Sequence, residues 1–499
     1  MTTEQNAGVA DKGRVGEIGS YFTRLTDEQC ELLHDATLQV LERTGLLIEE
    51  PEALALLSKA GAEVDGSRVR IPGRLIEWAL DVAPREITMF DRTGEARLTL
   101  SGRSTYFGTG SDCMYCYDHR TNTRRRAVLQ DVADAARVTD ACENIDFVMS
   151  LFTPSDVTPQ VMDRYQMASM LANTSKPIVY ITMSEEHAHL DAVDMAAAAV
   201  GGPRSLEERP FIACYKNTLF PLVHNREAVQ TLLDLAGKNL PCIYSPVSTA
   251  GTVAPMTVAG STVVVNAGVL AGLVMSQLKR EGAPYISIGW AGEAMDMRTM
   301  VDVFSWPDHR GVYSSLLHWY RLPLWTLGGV TDSKLPDQQA AAEAALTLMA
   351  DAVTGGHMNH NIGFMESAFT GSLTQVVLGN DICGWIKAFM APLEISEETL
   401  ALDVIDEVGP GGLFLKHRHT RNHARDRYQP ALFDRSTYED WERRGAKDTT
   451  TAAAELVDEI LGEYEPAPLS SSATAAIEEI LTRAESRVSS ESRRRGTDV

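Results

Sequence analysis

Cysteine is scarce in this chain: there are seven in 499 residues. An odd, sparse set does not make a disulfide framework, and the lone pair Cys113 and Cys116 has no second CxxC to complete a four-cysteine zinc site. Free structural thiols are expected. Positive charge is also short. Lys and Arg number 45 against 68 Asp and Glu, a formal net charge of −23. Such a chain cannot replace counterions along phosphates, so no nucleic-acid partner is expected. The acidity favours solubility and permits a cationic ligand. No apolar run reads as long enough to cross a bilayer, so no membrane partner is expected. Residues 1–20 carry no apolar stretch of the secretory kind, and a cytoplasmic location is the default expectation. The chain also lacks GxxxxGK[ST], HExxH, GxSxG and a dinucleotide-binding glycine pattern after its first strand.

What the chain does have is a cadence. Apolar, β-branched segments recur at Thr105–Thr109, Phe147–Thr153, Ile178–Thr182, Phe211–Tyr215, Ile243–Pro246, Tyr285–Gly289, Leu324–Gly328 and Ile362–Glu366, separated by Ala-rich stretches of helical period. Starts fall roughly every 30–45 residues, the length of one strand, one helix and two loops. Eight such units predict an α/β fold, a closed (β/α)8 TIM barrel, with chemistry at the C-terminal ends of the strands.

Texture sets the domain boundaries. Residues 1–20 read as disordered, and 21–86 as an N-terminal helical extension that covers the barrel floor or makes an oligomer contact. Its first helix runs Leu25 to Thr44, capped by Thr26 and stopped by Gly45. The barrel is assigned to 87–391, a C-terminal lobe to 392–465, and a helix with a mobile tail to 466–499. The stretch "VAGSTVVVNAGVLAGLVMSQLKREG" is unusually apolar for a barrel helix, so cover on both of its sides is expected.

Candidate site residues follow from the strand ends. Gly108 and Gly110 in "YFGTGSD" permit a close backbone approach to a ligand or a tight turn. Tyr215 ends the fourth strand. Tyr244 lies on the fifth, and Ser248 and Thr249 follow it, placed to bind an anionic group at a helix N-terminus or simply to cap that helix. Trp290 and Glu293 follow the sixth strand; an aromatic face beside a negative charge suits a quaternary ammonium ion, which has no N–H to donate. Asp332 lies past the seventh strand and Glu366 past the eighth, making Glu366 and Asp332 the catalytic or electrostatic candidates. His357 and His360 read as preceding the eighth strand, at the barrel bottom. The cluster His417, His419 and His423 has metal-ligand composition, but Lys416, Arg418, Arg421 and Arg425 around it would repel a cation. It reads alternatively as a surface for a partner or an anion.

The motifs "PVSTAGTVAPMTVAGSTVVVNAGVLAGLVMSQL", "MDMRT", "TDSKLPDQQAAAEA" and "GPGGLFLKHRHTRNH…LFDRSTYEDW" resemble the trimethylamine methyltransferase superfamily, over about Tyr106 to Trp441. The resemblance implies a TIM barrel that moves a methyl group from a methylated amine to the cobalt of a corrinoid (cobalamin) carried by a partner protein. Trimethylamine enzymes of the family carry pyrrolysine, whereas this chain has only standard residues and "LGGVTDSK" runs on uninterrupted. It therefore resembles the non-pyrrolysine branch, which implies a quaternary amine such as glycine betaine as substrate, a cognate corrinoid protein as partner, no tightly bound metal and a homo-oligomer. Tyr215, Tyr244 and Trp290 with Glu293, Asp332 or Glu366 would then hold the cation. The alternatives are a metal-dependent barrel hydrolase using His417, His419 and His423, and a non-catalytic quaternary-amine binder.

Overall fold

Eight parallel strands close on themselves in the structure, a computed structural model that describes residues 21–182 and 187–495. The disorder expected for residues 1–20 lies outside the described residues, as do the last four positions. Seven strands form one sheet in which Tyr106–Thr109 pairs with Met358–Ile362, followed by Leu324–Leu327, Tyr285–Ile288, Cys242–Ser245, Ile212–Asn217 and Ile178–Ile181. The parallel bridges Gly108 to Phe147 and Val148 to Ile178 insert the second strand between the first and the third. The sheet thus becomes a (β/α)8 barrel, as the cadence predicts.

Outside one bulge in the eighth strand, side chains alternate between barrel interior and helix layer. Tyr215, Trp325 and His360 meet inside, while Thr326 and Asn359 bond to each other on the outer side. Gly108 has no side chain because the ring of Phe147 fills that place, 2.1 Å from where a Cβ would sit; Phe364 does the same at Gly110. Neither glycine is held open for a ligand: both admit aromatic rings.

The eighth strand lies earlier than its apolar segment suggests. It is Met358–Ile362, and all five residues are buried. His360 therefore points into the barrel and does not precede the strand. The strand escapes a hydrophobicity reading because its outward Asn359 is satisfied by Thr326 and Thr105, so polarity there costs little.

The apolar helix Val258–Lys279 corrects a second expectation. It is long and apolar enough to cross a membrane by length and composition, but 72% of its apolar window is buried within the protein. The barrel covers one side. The helices Asp27–Gln39, Pro51–Ala60 and Gly73–Val82 of the N-terminal extension cover the other. The extension thus flanks the barrel at this helix, and its role is to bury an apolar surface. It is not purely helical. Leu46–Ile48, Glu63–Asp65 and Arg68–Arg70 form a small sheet that borrows Val223–His224 from the loop after the fourth barrel strand.

At the other end of the chain, residues 392–447 form short helices and turns. They are anchored where Asp381 accepts the N–H groups of Ala431 and Leu432, at 3.1 and 2.7 Å. The helix Thr449–Glu463 packs back on Leu373–Met390 and Leu129–Ala141. The helix Ser471–Arg495 lies on Ala188–Ala199, where Asp191 gathers Arg164 at 2.9 Å together with Arg487.

Candidate active site

The C-terminal end of the barrel holds an aromatic group drawn from five strands. The ring of Trp325 lies 4.2 Å from that of His360, 5.3 Å from Phe147 and 5.8 Å from Tyr215. Trp290 lies 6.1 Å from His360. Nδ1 of His360 is 2.7 Å from the carbonyl oxygen of Thr326, so Nδ1 carries the proton and Nε2 a lone pair. Burial pushes this imidazole down to about 3, so it is neutral at physiological pH.

A β-bulge sits immediately above His360. From Phe107 to Thr109 the first strand takes two steps, while its partner takes three, from Asn359 to Ile362. The extra residue is Asn361, with φ +87°. Asn359 faces outward against Thr326, and Ile362 packs outward on Gly379 of the following helix. Both residues between them, His360 and Asn361, are therefore turned toward the interior. Asn361 is only 1% exposed, and neither its amide oxygen nor its amide nitrogen has a hydrogen-bond partner among the described residues. The indole Nε1 of Trp325 is likewise buried without an acceptor there. Unpaired buried donors of this kind are costly, and bulges that re-aim side chains recur beside active sites.

Acidic groups complete the mouth. Glu293 is 6% exposed and its Oε1 has no hydrogen-bond partner among the described residues. Burial pushes its carboxyl up to about 8; Arg310 nearby pulls the other way, and Asp302, Asp351 and Asp332 reinforce the rise. Arg310 is itself held by Asp351 at 3.2 Å and by the Leu327 and Phe304 carbonyl oxygens. Asp112, with φ +68°, is pushed up to about 6, again by burial first. The electrostatic fields of both Glu293 and Asp112 reach Tyr215, whose hydroxyl is 3.1 Å from Ser245. Tyr215, Trp290, Glu293, Asp112, Trp325, His360 and Asn361 thus frame one end of the barrel.

The other sequence candidates have different surroundings. Tyr244 faces outward: its ring lies over Gly272 of the long apolar helix, and its hydroxyl meets Nδ1 of His224 at 2.8 Å. The helix after the fifth strand begins only at Val258, capped by Thr257. Ser248 and Thr249 stand in the preceding loop, where Ser248 meets Ser261 at 3.3 Å and Thr249 donates to Asp302 at 3.3 Å. Asp332 accepts from the Phe304 and Ser305 N–H groups and from the Ser305 and Ser367 hydroxyls. Glu366 binds Arg124 at 2.7 Å and Thr370 at 2.5 Å. These two carboxylates fasten the loops after the sixth, seventh and eighth strands to their neighbours.

The histidine cluster is in the C-terminal lobe. The rings of His419 and His423 are 4.2 Å apart, His417 meets Glu407 at 3.3 Å, and His423 meets Asp426 at 2.6 Å. Asp426 and, more weakly, Glu398 raise the His423 pKa. Among the described residues, no group of three or more His, Cys, Asp or Glu side chains is arranged to hold a metal ion.

Sequence reasoning missed Asn361, Asp112 and Trp325, and placed His360 before the eighth strand rather than within it. The available signal was "MNHNIG": three polar residues spaced one barrel unit beyond the seventh strand, where an inner position is expected.

The profile of the family described as trimethylamine methyltransferase (MTTB) matches residues 4–489. The trimethylamine methyltransferase MttB of Desulfitobacterium hafniense is 34% identical over 485 residues, 96% of each chain. A glycine betaine methyltransferase of Desulfitobacterium hafniense is 30% identical, over 91% of this chain and 95% of that one. The crystal structure of the Methanosarcina barkeri monomethylamine methyltransferase superposes with a TM-score of 0.48 at 11% identity, over 96% of this chain and 91% of that one. The chain belongs to the trimethylamine methyltransferase family, and with 499 standard residues it falls in the branch without pyrrolysine.

Proposed function

We propose that this protein transfers a methyl group from a quaternary amine of the glycine betaine type to Co(I) of a corrinoid carried by a separate protein. The observation that carries the reading is the pairing of the Trp290 and Tyr215 rings with the buried carboxyl of Glu293, whose Oε1 has no hydrogen-bond partner among the described residues, at the mouth of the barrel. Aromatic faces and a desolvated acid attract a cation that cannot donate hydrogen bonds.

The chemistry fits such a lining. Co(I), the methyl acceptor, supplies the electron pair for the new bond to carbon and is oxidised to Co(III). The C–N bond breaks with its pair remaining on nitrogen, and a neutral tertiary amine departs without needing a proton. The protein's task is to hold the C–N bond in line with the acceptor and to stabilise the cation until it reacts.

A macromolecular acceptor needs a surface to dock on. Exposed apolar side chains stand on loops that follow barrel strands: Met114 after the first, Phe220 after the fourth, Met256 after the fifth, Met297 and Met300 after the sixth, and Phe369 after the eighth. An apolar rim around a mouth of this kind supports a protein partner.

The test is methyl transfer to reduced cobalamin, followed by the spectral change on methylation. Glycine betaine is expected to react and trimethylamine to be inert. Turnover of trimethylamine with no quaternary amine accepted overturns the substrate. Tight binding of glycine betaine with no transfer identifies a binding protein instead. Bound metal found by elemental analysis supports a metal-dependent hydrolase, and loss of methyl transfer on chelation, restored by zinc, overturns the expectation that no bound metal is needed.

A further inference from the structure

The cation-holding groups occupy only part of the barrel mouth, and the rest is neutral and donor-rich. On the seventh strand the indole N–H of Trp325 is fully buried and has no acceptor among the described residues. On the adjacent eighth strand the amide of Asn361 is in the same condition. The bulge between Asn359 and Ile362 turns Asn361 inward beside His360, whose ring rests on Trp325. The arrangement is expensive twice over: an unsatisfied amide is buried, and a non-glycine residue is held at φ +87°. A chain that needed only a packed core would place an apolar side chain or a glycine here.

We infer that Asn361 and the Trp325 N–H form a subsite for a hydrogen-bond-accepting group, a carboxylate, carried by the quaternary ammonium substrate. The proposal rests on the reading of the mouth as a quaternary-amine site and adds which end of the substrate lies where. The ammonium faces Trp290, Tyr215 and Glu293, and the carboxylate faces Asn361 and Trp325. Two neutral donors suit a carboxylate that must also release its product, because a hydrogen-bonded anion is held without a buried counter-charge.

Calorimetric titration with two ligands sharing one head group tests this. Tetramethylammonium has the cation alone; glycine betaine adds the carboxylate. The variant Asn361→Gly is suited to the fold, because glycine adopts positive φ without strain. Trp325→Phe keeps the ring and removes the donor. Each variant is expected to weaken glycine betaine binding at least tenfold and to leave tetramethylammonium within twofold of the wild type. Equal losses for both ligands, or unchanged betaine affinity, overturn the subsite while the quaternary-amine reading stands. If the wild-type protein binds neither ligand, that reading fails and the subsite fails with it.

Discussion

The imidazole of His360 lies against the indole of Trp325, ring centres 4.2 Å apart and planes inclined by 33°. The contact joins the seventh and eighth strands inside the barrel, where burial disfavours a charged imidazole. Four further histidines share that fate. Burial pushes His224, His309 and His318 down to about 3 and His357 to about 4. The unfolded chain takes up protons on these side chains below its ordinary value near 6.5, while the native fold refuses them until far lower pH. Stability is therefore expected to fall as pH drops from about 6.5 toward 4. Melting temperatures measured across that range check this, and a flat profile would speak against neutral buried histidines.

Glu293 gives a pH dependence of the same sense in binding. Its carboxyl, pushed up to about 8, carries a proton at neutral pH in the free protein. A bound cation favours the carboxylate and must expel that proton. Affinity for tetramethylammonium is expected to rise from pH 6 to pH 8, with proton release visible as a buffer-dependent binding enthalpy. Glu293→Gln should abolish both effects. The same variant removes a carboxylate that is poorly solvated above pH 8, so its melting temperature there should exceed wild type by about 1–3 °C. An identical pH profile in wild type and variant rules out the role.

Trp290 offers a separable test, because its ring is 7% exposed at the mouth. Trp290→Leu retains apolar bulk but removes the π face. Cation affinity should fall by about 1–2 kcal/mol, the range of a desolvated cation–π contact. A loss of thermal stability with affinity unchanged would mark Trp290 as core.

Gly108 tests the barrel itself. The ring of Phe147 lies 2.1 Å from the position of an added Cβ. Gly108→Ala should cost about 1–3 kcal/mol or more through overpacking. Pairing it with Phe147→Leu should recover part of that loss, as a double-mutant cycle of unfolding would show.

The barrel was legible because its parallel strands are buried on both faces and read as apolar runs. The eighth strand broke that rule: Asn359, His360 and Asn361 are polar, and the neighbouring "IGFM" attracted the reading instead. Trp290, Glu293 and Tyr215 were reachable from their positions after strands. Asn361 was not, because its placement depends on a one-residue bulge that no periodicity reports. Tyr244 shows the converse. Lying one residue from the inward-facing position would have sufficed to send it to the helix layer, and strand alternation did so. Asp332 and Glu366 were chosen for their charge and position alone; the serine hydroxyls and Arg124 that engage them come from distant segments.

Single-turnover methylation of Co(I) cobalamin by glycine betaine tests the central claim most directly, comparing wild type with the double variant Trp290→Leu, Glu293→Gln. With glycine betaine well below saturation, wild type is expected to form methylcobalamin, and the double variant to be slower by about a hundredfold while melting at a similar temperature, since it loses about 3 kcal/mol of cation binding. Equal rates in the two proteins, or no methylcobalamin from any quaternary amine, would contradict the assignment of this barrel mouth as a quaternary-amine methyl-transfer site.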